Sequence, residues 1–262
     1  MITCLREADR DELLRYIGNE RGRCLYMFMD IIKFGLENSE ISVWAQRIGG
    51  RIIALIMKYH NGLHVYAKQE DVIWSEILDL IKQLRPALIC GEKRIVQCLS
   101  ANLPEYYVEY GVVFKLAAHV FIENDAEVRK AQREDFKEVA QMLKEDEDYG
   151  AAFTVEELEL QFRGRQESGL SRSYVLCSSG EVLAHVATGA ECDNVATISG
   201  LVVKKNHRKQ GMATKVLRVL CSVLGSEGKD VYSIVFVKPS VNLHKKLGFS
   251  EYCEWGKLFL RV

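Results

Sequence analysis

Apolar residues follow two different periods along the chain, one typical of strands and one typical of amphipathic helices. Residues 71–84 and 212–224 each place their apolar side chains on one face at helical spacing. Residues 44–54 and 174–184 both read as a strand, a tight turn that ends in glycine, and a second strand. Both periods in one chain predict an α/β (α+β mixed) fold, in which helices pack against a mixed sheet.

The two halves of the chain repeat the same order of elements. Leu5–Leu13 aligns with Val128–Phe136, which matches an arginine, an alanine and a pair of acids. Trp44–Ala54 resembles Tyr174–Ala184. Each half is predicted to run strand, helix, helix, hairpin, strand, helix, strand, and this shared order favours an internal repeat over chance similarity.

A polar stretch at Glu123–Glu127 separates the two halves. A chain of 262 residues is long enough for two domains of moderate size. We therefore predict two domains, 1–124 and 125–262, with the boundary in this stretch.

Composition narrows the class of protein. With 48% hydrophobic and 27% charged residues the chain is an ordinary globular protein, and its net charge of −1 does not indicate nucleic acid or an acidic membrane as a partner. No apolar run reaches the ~18 residues of a membrane helix, and the sequence does not open on a secretory pattern. We expect a cytoplasmic protein without membrane contact, either a monomer or a homodimer.

Eight cysteines are spread along the chain without a CxxC pair. Metal sites and disulfide frameworks both need clustered or patterned spacing. We therefore expect the cysteines to be small buried hydrophobic residues, and we expect no metal site.

The segment 197–224 carries the most specific chemistry. An apolar run at Ile198–Val203 predicts a strand, a basic turn follows at Lys204–Gln210, and Gly211 opens an amphipathic helix. The first N–H groups of a helix lack intrahelical partners and carry the positive end of its dipole, and glycine lets the backbone approach an anion closely. The dinucleotide and Walker fingerprints are both absent, whereas this arrangement suits a diphosphate.

The spacing Arg208-x-x-Gly211-x-Ala213 after a strand resembles the hallmark of the GNAT acyltransferase superfamily. In that family, backbone amides of the motif hold the pyrophosphate of coenzyme A, and the preceding strand holds the pantetheine arm. The resemblance implies acetyl-CoA as the cosubstrate. It also implies that the cofactor-binding residues are Leu201, Val202, Val203, Arg208, Lys209, Gln210, Gly211, Met212, Ala213 and Thr214.

Ser240–Phe249, with its Leu-Gly-Phe ending, resembles the last helix of the same family, in the branch that includes phosphinothricin-type acetyltransferases. Lys205 stands where the family often has proline, and Val237 stands where it often has asparagine; Asn242 is near but out of register. With the repeat, the resemblance implies two GNAT-like domains in tandem, each a mixed, mostly antiparallel sheet flanked by helices.

The first half lacks the anion-binding turn. Its corresponding segment, Ala67–Asp71, has no glycine, and its acids would repel a diphosphate. We predict a degenerate GNAT-like domain that does not bind coenzyme A and that covers one side of the active domain.

Acyl transfer from a thioester to an amine requires a neutral amine, a stabilised oxyanion and a proton for the leaving thiolate. Backbone N–H groups of Leu201–Val203 can serve the oxyanion. The family acid is usually a tyrosine in the last helix, where this chain has His244, either an acid or a packing residue. The family glutamate base has no counterpart. Its substitutes are Glu191, Asp193 or His185, a water relay, or an amine deprotonated by its environment; we predict His244 and Glu191 as catalytic residues.

These observations favour an acetyl-CoA-dependent N-acetyltransferase, in which the amine of a small-molecule or amino-acid-like acceptor attacks the thioester directly. Two alternatives stay open: a catalytically silent acyl-CoA-binding sensor or interaction module, and transfer of a longer acyl or aminoacyl group. The acceptor pocket is expected on variable loops at Glu145–Leu170 and in the first half. There the Met- and aromatic-rich stretch Cys24–Ile32 is a buried helix or, if partly exposed, a lining of that pocket.

Overall fold

The computed structural model describes residues 1–117, 124–146 and 153–261. They form two compact units that are discontinuous in sequence. The first unit comprises Met1–Phe114, Ile234–Ser240 and Glu251–Val262, and the second comprises Lys115–Ser233 and Val241–Ser250. The end of the chain therefore belongs to the first unit, whereas the division into functional domains at 1–124 and 125–262 stays a prediction.

Helices and strands are both well represented in the described residues, and the predicted α/β (α+β mixed) class is confirmed. The helices are α1 (Arg10–Ile17), α2 (Leu25–Phe34), α3 (Trp74–Leu84), α4 (Lys93–Ser100), α5 (Phe136–Lys144), α6 (Val155–Glu167), α7 (Met212–Ser226) and α8 (Lys238–Lys246). The strands are β1 (Ile2–Cys4), β2 (Ile41–Ile48), β3 (Arg51–Tyr59), β4 (Gly62–Ala67), β5 (Leu88–Glu92), β6 (Tyr106–Leu116), β7 (Val128–Lys130), β8 (Ser173–Ser178), β9 (Glu181–Cys192), β10 (Val195–Val203), β11 (Asp230–Val235) and β12 (Phe249–Leu260).

The sheet of the first unit is completed by the last strand of the chain. Its strand order is β1-β2-β3-β4-β5-β12, with β6 beside β12. Strands β4 and β5 are parallel, and β12 runs antiparallel to β5 with Trp255 opposite Glu92. Leu258 of β12 lies in the same buried cluster as Ile77 of α3 and Ile95 of α4.

The second unit places the end of β10 next to the start of α7. Its strand order is β11-β10-β9-β8-β7, in which β10 and β11 are parallel and the other pairs are antiparallel. Helix α7 connects the two parallel strands. Helix α7 buries the face that its sequence period predicts, because Val216, Leu217 and Leu220 are all 0% exposed.

The hairpin part of the internal repeat is confirmed by backbone conformation. The turn between β2 and β3 is Gly49–Gly50, with φ of 56° and 81°. The turn between β8 and β9 is Ser179–Gly180, with φ of 53° and 83°. Two successive residues with positive φ are typical of type I′ turns, which match the twist of the flanking strands.

The alignment of Leu5–Leu13 with Val128–Phe136 is wrong by three residues. In each half, the carboxylate of an aspartate accepts a hydrogen bond from the backbone N–H three residues earlier, at 2.8 Å for Asp9 and 2.6 Å for Asp135. These two aspartates cap the same turn, but the sequence alignment placed Asp9 opposite Gln132. Both segments contain many charged residues. The wrong register therefore gave more identical pairs than the correct register, in which the two capping aspartates align.

The stretch Cys24–Ile32 contributes most of α2, and the prediction of a buried helix is confirmed. The expectation for the cysteines holds only in part. All eight thiols are free; Cys24, Cys90 and Cys221 are buried, whereas Cys4 and Cys98 are exposed.

Candidate active site

Strand β10 carries a β-bulge at Gly200. Its antiparallel register with β9 shifts between Ser199 and Val202, so that β10 has one residue more than its partner there. Gly200 has a φ of 59°, and an added Cβ would lie 2.8 Å from a ring carbon of Phe162 and 3.2 Å from one of His185. Glycine is therefore required at this position for both conformation and space.

Beyond the bulge, β10 pairs with β9 but leaves β11. The parallel ladder runs from Val195 opposite Asp230 to Ile198 opposite Ser233, and across the described residues it does not extend to Leu201–Val203. Backbone groups of Leu201–Val203 on the β11 side are the ones predicted to meet a pantetheine arm, and that assignment stays a prediction.

The turn after β10 is held by an arginine. One turn of 3₁₀ helix, Lys205–His207, follows the strand. The Nε of Arg208 donates to the carbonyl oxygen of Val203 at 3.2 Å, and its Nη2 donates to Asp146 at 3.3 Å. The guanidinium thus braces the turn against the end of the strand. Lys209 then adopts a φ of 65°, which is unusual for a residue with a side chain.

Helix α7 begins at a glycine with open space beside it. Gly211 is the N-cap, has a φ of 85°, and makes no side-chain cap. An added Cβ at Gly211 would meet no atom within 4 Å. The first intrahelical bond runs from the N–H of Lys215 to the carbonyl of Gly211 at 3.1 Å, so helix geometry leaves the N–H groups of Met212, Ala213 and Thr214 without intrahelical acceptors. No acid lies in the first turn, and the corner therefore suits an anion.

Lysines flank this helix start in the sequence. Lys204 and Lys215 each pair with carboxylates of the same unit. Lys205 and Lys209 are exposed, and among the described residues neither has an ion-pair partner. These two side chains are available to an incoming anion.

The predicted base Glu191 lies far from this corner. Arg172 donates two hydrogen bonds to its carboxylate, at 2.9 and 2.6 Å, and the Thr188 hydroxyl donates a third at 2.7 Å. Glu191 stands opposite Ala196, near the start of β10. Leu201, the nearest predicted cofactor-binding residue, is five residues further along the strand, about 16 Å away at ~3.3 Å per residue. The structure does not bring Glu191 together with the cofactor-binding residues, and its partners suit a structural role.

The two other candidate bases have different surroundings. Asp193 is exposed in the turn between β9 and β10, at the same end as Glu191. His185 is 0% exposed, and its Nδ1 lies 2.7 Å from the carbonyl oxygen of Gly200. Burial lowers the pKa of His185 to about 4, although the hydrogen bond to Gly200 acts in the opposite direction. Sequence reasoning missed the contact between His185 and the bulge, although an isolated glycine in an apolar strand is a known signal for a bulge.

The predicted acid His244 lies on α8 and is 2% exposed. Its ring meets that of Phe249 edge to face, with the centroids 5.0 Å apart. This contact is the packing role that the sequence left open, and the role as an acid stays a prediction.

The described part of the predicted acceptor loop Glu145–Leu170 is largely helical. Thr154 caps α6, because its hydroxyl accepts from the N–H of Glu157 while the Glu157 carboxylate accepts from the N–H of Thr154, at 3.2 and 2.7 Å. This reciprocal cap is visible in the sequence, so the loop assignment is corrected to a helix over Val155–Glu167. Residues 147–152 of the predicted loop lie outside the described residues.

The corresponding corner of the first unit is built differently. Strand β4 ends at Ala67, and α3 starts only at Trp74 and has an acid, Glu76, in its first turn. The guanidinium of Arg94 donates to the carbonyl oxygen of Ala67. The carbonyl oxygen at the end of this strand is therefore already bound by a side chain of the same unit.

Comparison with known families agrees with the geometry of the second unit. Residues 127–249 match the model of the Acetyltransferase (GNAT) family. The family match makes the protein an acyltransferase of the N-acetyltransferase type, and the matched segment contains the bulged strand and the helix that begins at Gly211. Residues 127–249 are therefore a GNAT domain, and this segment contains β10, the basic turn and α7. No curated protein matches the sequence.

Solved structures share the fold over both halves. A Drosophila protein has a TM-score of 0.70 at 14% identity and covers 100% of this chain and 99% of its own. A GCN5-related N-acetyltransferase from Sphaerobacter thermophilus has a TM-score of 0.65 at 14% identity, with coverage of 100% and 96%. A tandem GNAT protein from the clavulanic acid biosynthesis pathway has a TM-score of 0.59 at 15% identity, with coverage of 98% and 97%. These likenesses in fold confirm the tandem arrangement.

Two kinds of feature are absent from the described residues. Within 1–117, 124–146 and 153–261, no helix combines the length and the apolar character needed to cross a membrane. The same ranges contain no cluster of three or more His, Cys, Asp or Glu side chains suited to a metal ion.

Proposed function

We propose that the chain transfers the acetyl group of acetyl-CoA to the amine of a small-molecule or amino-acid-like acceptor. The observation that carries the proposal is the start of α7, where three helix N–H groups lack intrahelical acceptors and the Cβ position of Gly211 faces open space. A diphosphate has the charge and the acceptor oxygens that such a helix start can bind. Lys205 and Lys209 add attraction from exposed ammonium groups.

The strand before this corner has a separate role in the proposal. Leu201–Val203 present the main chain on the side where the ladder to β11 has ended. An extended pantetheine arm carries amide groups that can pair with such a strand, as an added strand would. This pairing would bring the thioester next to the bulge.

The reaction is a displacement at the thioester carbonyl. The neutral amine nitrogen attacks the carbonyl carbon and the carbon–sulfur bond breaks, while the nitrogen loses one proton and the sulfur gains one. A backbone N–H of Leu201–Val203 donates to the carbonyl oxygen as negative charge develops on it. Holding the two reactants side by side supplies a large part of the rate, since effective molarities reach ~10⁵ M or more.

We assign the proton for sulfur to His244 and the removal of the amine proton to water. Glu191 does not suit the second task, because Arg172 and Thr188 already bind its carboxylate. Replacing His244 with Phe keeps a ring beside Phe249 and removes the proton. If His244 is the acid, kcat falls by about 10²–10⁴-fold with unchanged affinity for acetyl-CoA; an unchanged kcat would show that His244 only packs.

Binding of acetyl-CoA tests the proposal, with two glycine variants as a matched pair. Gly211→Glu places a carboxylate at the start of α7, whereas Gly228→Glu places it just past the other end of the same helix. Gly228 has a φ of 72° and, like Gly211, open space around its Cβ position, so backbone strain is comparable.

Ligand at a hundredfold excess over Kd stabilises the protein by about 2.7 kcal/mol. We expect the melting temperature of the wild type and of Gly228→Glu to rise with acetyl-CoA, and that of Gly211→Glu to stay constant. No shift in the wild type at millimolar acetyl-CoA, or an equal shift in all three proteins, would contradict the proposal.

The catalytically silent alternative has no support from the comparisons. An assay of thiol release from acetyl-CoA against a panel of amines separates it from the enzyme, because a sensor binds acetyl-CoA without releasing thiol. Transfer of a longer acyl or aminoacyl group is tested in the same assay with other acyl-CoA donors.

We also propose that the first unit does not bind coenzyme A, since Arg94 already donates to the carbonyl at the end of β4 and Glu76 lies in the first turn of α3. Titration should therefore give one site per chain. We place the protein in the cytoplasm as a monomer or homodimer, which cell fractionation and light scattering test.

A further inference from the structure

A histidine is buried at the centre of the second unit, where a polar side chain needs a reason. His185 lies on β9 opposite Val202 and is 0% exposed. Its Nδ1 is 2.7 Å from the carbonyl oxygen of Gly200. Its Nε2 is also buried, and within the described part of the chain it has no hydrogen-bond partner. A buried nitrogen without a partner costs free energy that an apolar residue would save.

The hydrogen bond to Gly200 defines the state of the ring. A carbonyl oxygen can only accept, so the proton is on Nδ1 and Nε2 carries the lone pair. With a pKa lowered to about 4 by burial, His185 is neutral in any ordinary buffer. The ring therefore acts as a fixed N–H donor and carries no charge.

The bulge is confined from two sides. The Phe162 ring meets the His185 ring edge to face, with the centroids 5.4 Å apart. Both rings also border the position that a Cβ of Gly200 would take. We call these three residues, His185, Phe162 and Gly200, the bulge clamp.

The bulge clamp lies between two parts of β10, of which only the first pairs with β11. Up to Ile198 the strand pairs with β11, and beyond the bulge Leu201–Val203 do not. A bulge bends a strand and increases its twist, so its shape sets the direction of the N–H groups that follow. A displacement of about 1 Å in a reacting group can cost about 10²-fold in rate.

We propose that His185 is a positioning residue for acyl transfer: its N–H holds the carbonyl of Gly200 and thereby fixes the direction of the backbone of Leu201–Val203. This inference rests on the function proposed above, because it takes those backbone groups as the contact with the acyl-CoA. His185 acts through the strand and does not touch the substrate.

Three variants separate this role from packing. His185→Leu fills a similar volume but removes the N–H. His185→Asn keeps an N–H donor at nearly the same distance from the backbone. Val128→Ala removes apolar volume from β7, at the far edge of the same sheet, and serves as the control for a general loss of stability.

Four quantities are measured: kcat, KM for the amine of the panel that gives the fastest thiol release, the calorimetric Kd of coenzyme A, and hydrogen exchange of the peptide that contains residues 199–203. In His185→Leu we expect kcat to fall by about 10–100-fold, Kd to rise by roughly 3–10-fold and exchange to speed up. His185→Asn should recover kcat to within about fivefold of the wild type. Val128→Ala should lower the melting temperature and leave the other quantities unchanged.

The inference is overturned if His185→Leu keeps the kcat and the exchange of the wild type, or if His185→Asn is as impaired as His185→Leu. If His185→Leu does not fold, as judged by circular dichroism, Phe162→Leu loosens the other side of the clamp and should also speed exchange at 199–203; unchanged exchange there overturns the inference. A wild type that does not bind coenzyme A would instead refute the proposed function, and the exchange data would still test the clamp.

Discussion

Replacing Glu191 with Gln separates the two roles that this carboxylate could have. The change keeps the shape of the side chain and one oxygen acceptor, but it removes the negative charge. Arg172 binds both oxygens of Glu191 and also binds Glu227, which follows the end of α7. If Glu191 has the structural role that its hydrogen bonds indicate, the variant loses stability and keeps its activity.

The size of the effect follows from burial. The side chains of Arg172 and Glu191 are 21% and 14% exposed, so solvent screens their interaction only in part. A hydrogen bond to a charged group contributes about 1.5–3 kcal/mol, and because Arg172 keeps Glu227 as a partner we expect a loss of about 2 kcal/mol. At roughly 2–4 °C per kcal/mol for a chain of this size, the melting temperature falls by about 4–8 °C.

Calorimetry gives the melting temperature, and thiol release gives kcat for the folded protein at a temperature well below unfolding. Glu227→Gln is the matched control: Glu227 has the same arginine partner but is 39% exposed, so its loss should be smaller, about 0–1 kcal/mol. If Glu191→Gln keeps its stability and loses about 10²-fold or more in kcat, Glu191 is a base and does not have a structural role.

Two further changes probe the second unit. For Asp135, burial raises the pKa, but the hydrogen bonds from Arg129 and a backbone amide lower it more, so its pKa lies below the ordinary value. Its contribution to the free energy of unfolding is present above the ordinary pKa of about 3.9 and is lost as the pH falls through the lower folded pKa. In urea titrations, Asp135→Asn should therefore be less stable than the wild type at pH 7. This difference in stability should shrink below about pH 4 and vanish at lower pH. Gly200→Ala should cost about 2 kcal/mol or more, because it combines a positive φ with a clash, and adding Phe162→Leu should recover part of the melting temperature; equal stability of Gly200→Ala and wild type would refute the requirement for glycine.

The sequence pattern was sufficient to predict the elements whose conformation depends on neighbouring residues. The apolar period over residues 212–224 gave a helix with the expected buried face. The basic turn at Lys204–Gln210 between a strand and a helix needed only the order of neighbouring segments. Both predictions depend on residues a few positions apart, where side-chain period and turn chemistry decide the conformation.

Long-range pairing was not visible in the sequence. Strand β12 pairs with β5 of the first unit although more than 150 residues separate them, and no local period distinguishes one partner strand from another. The role of Glu191 depends on Arg172, which precedes it by 19 residues in the chain. The two side chains meet only because the intervening residues fold into a hairpin. The repeat alignment failed for a related reason: charged identities were counted without knowing which aspartate caps the turn.

A crystal structure of the protein with coenzyme A tests the site at the start of α7 most directly. We expect diphosphate oxygens to lie about 2.7–3.2 Å from backbone nitrogens within Gly211–Thr214, with the pantetheine arm along Leu201–Val203. Coenzyme A bound elsewhere on the chain, with the start of α7 in contact only with solvent, would contradict this expectation.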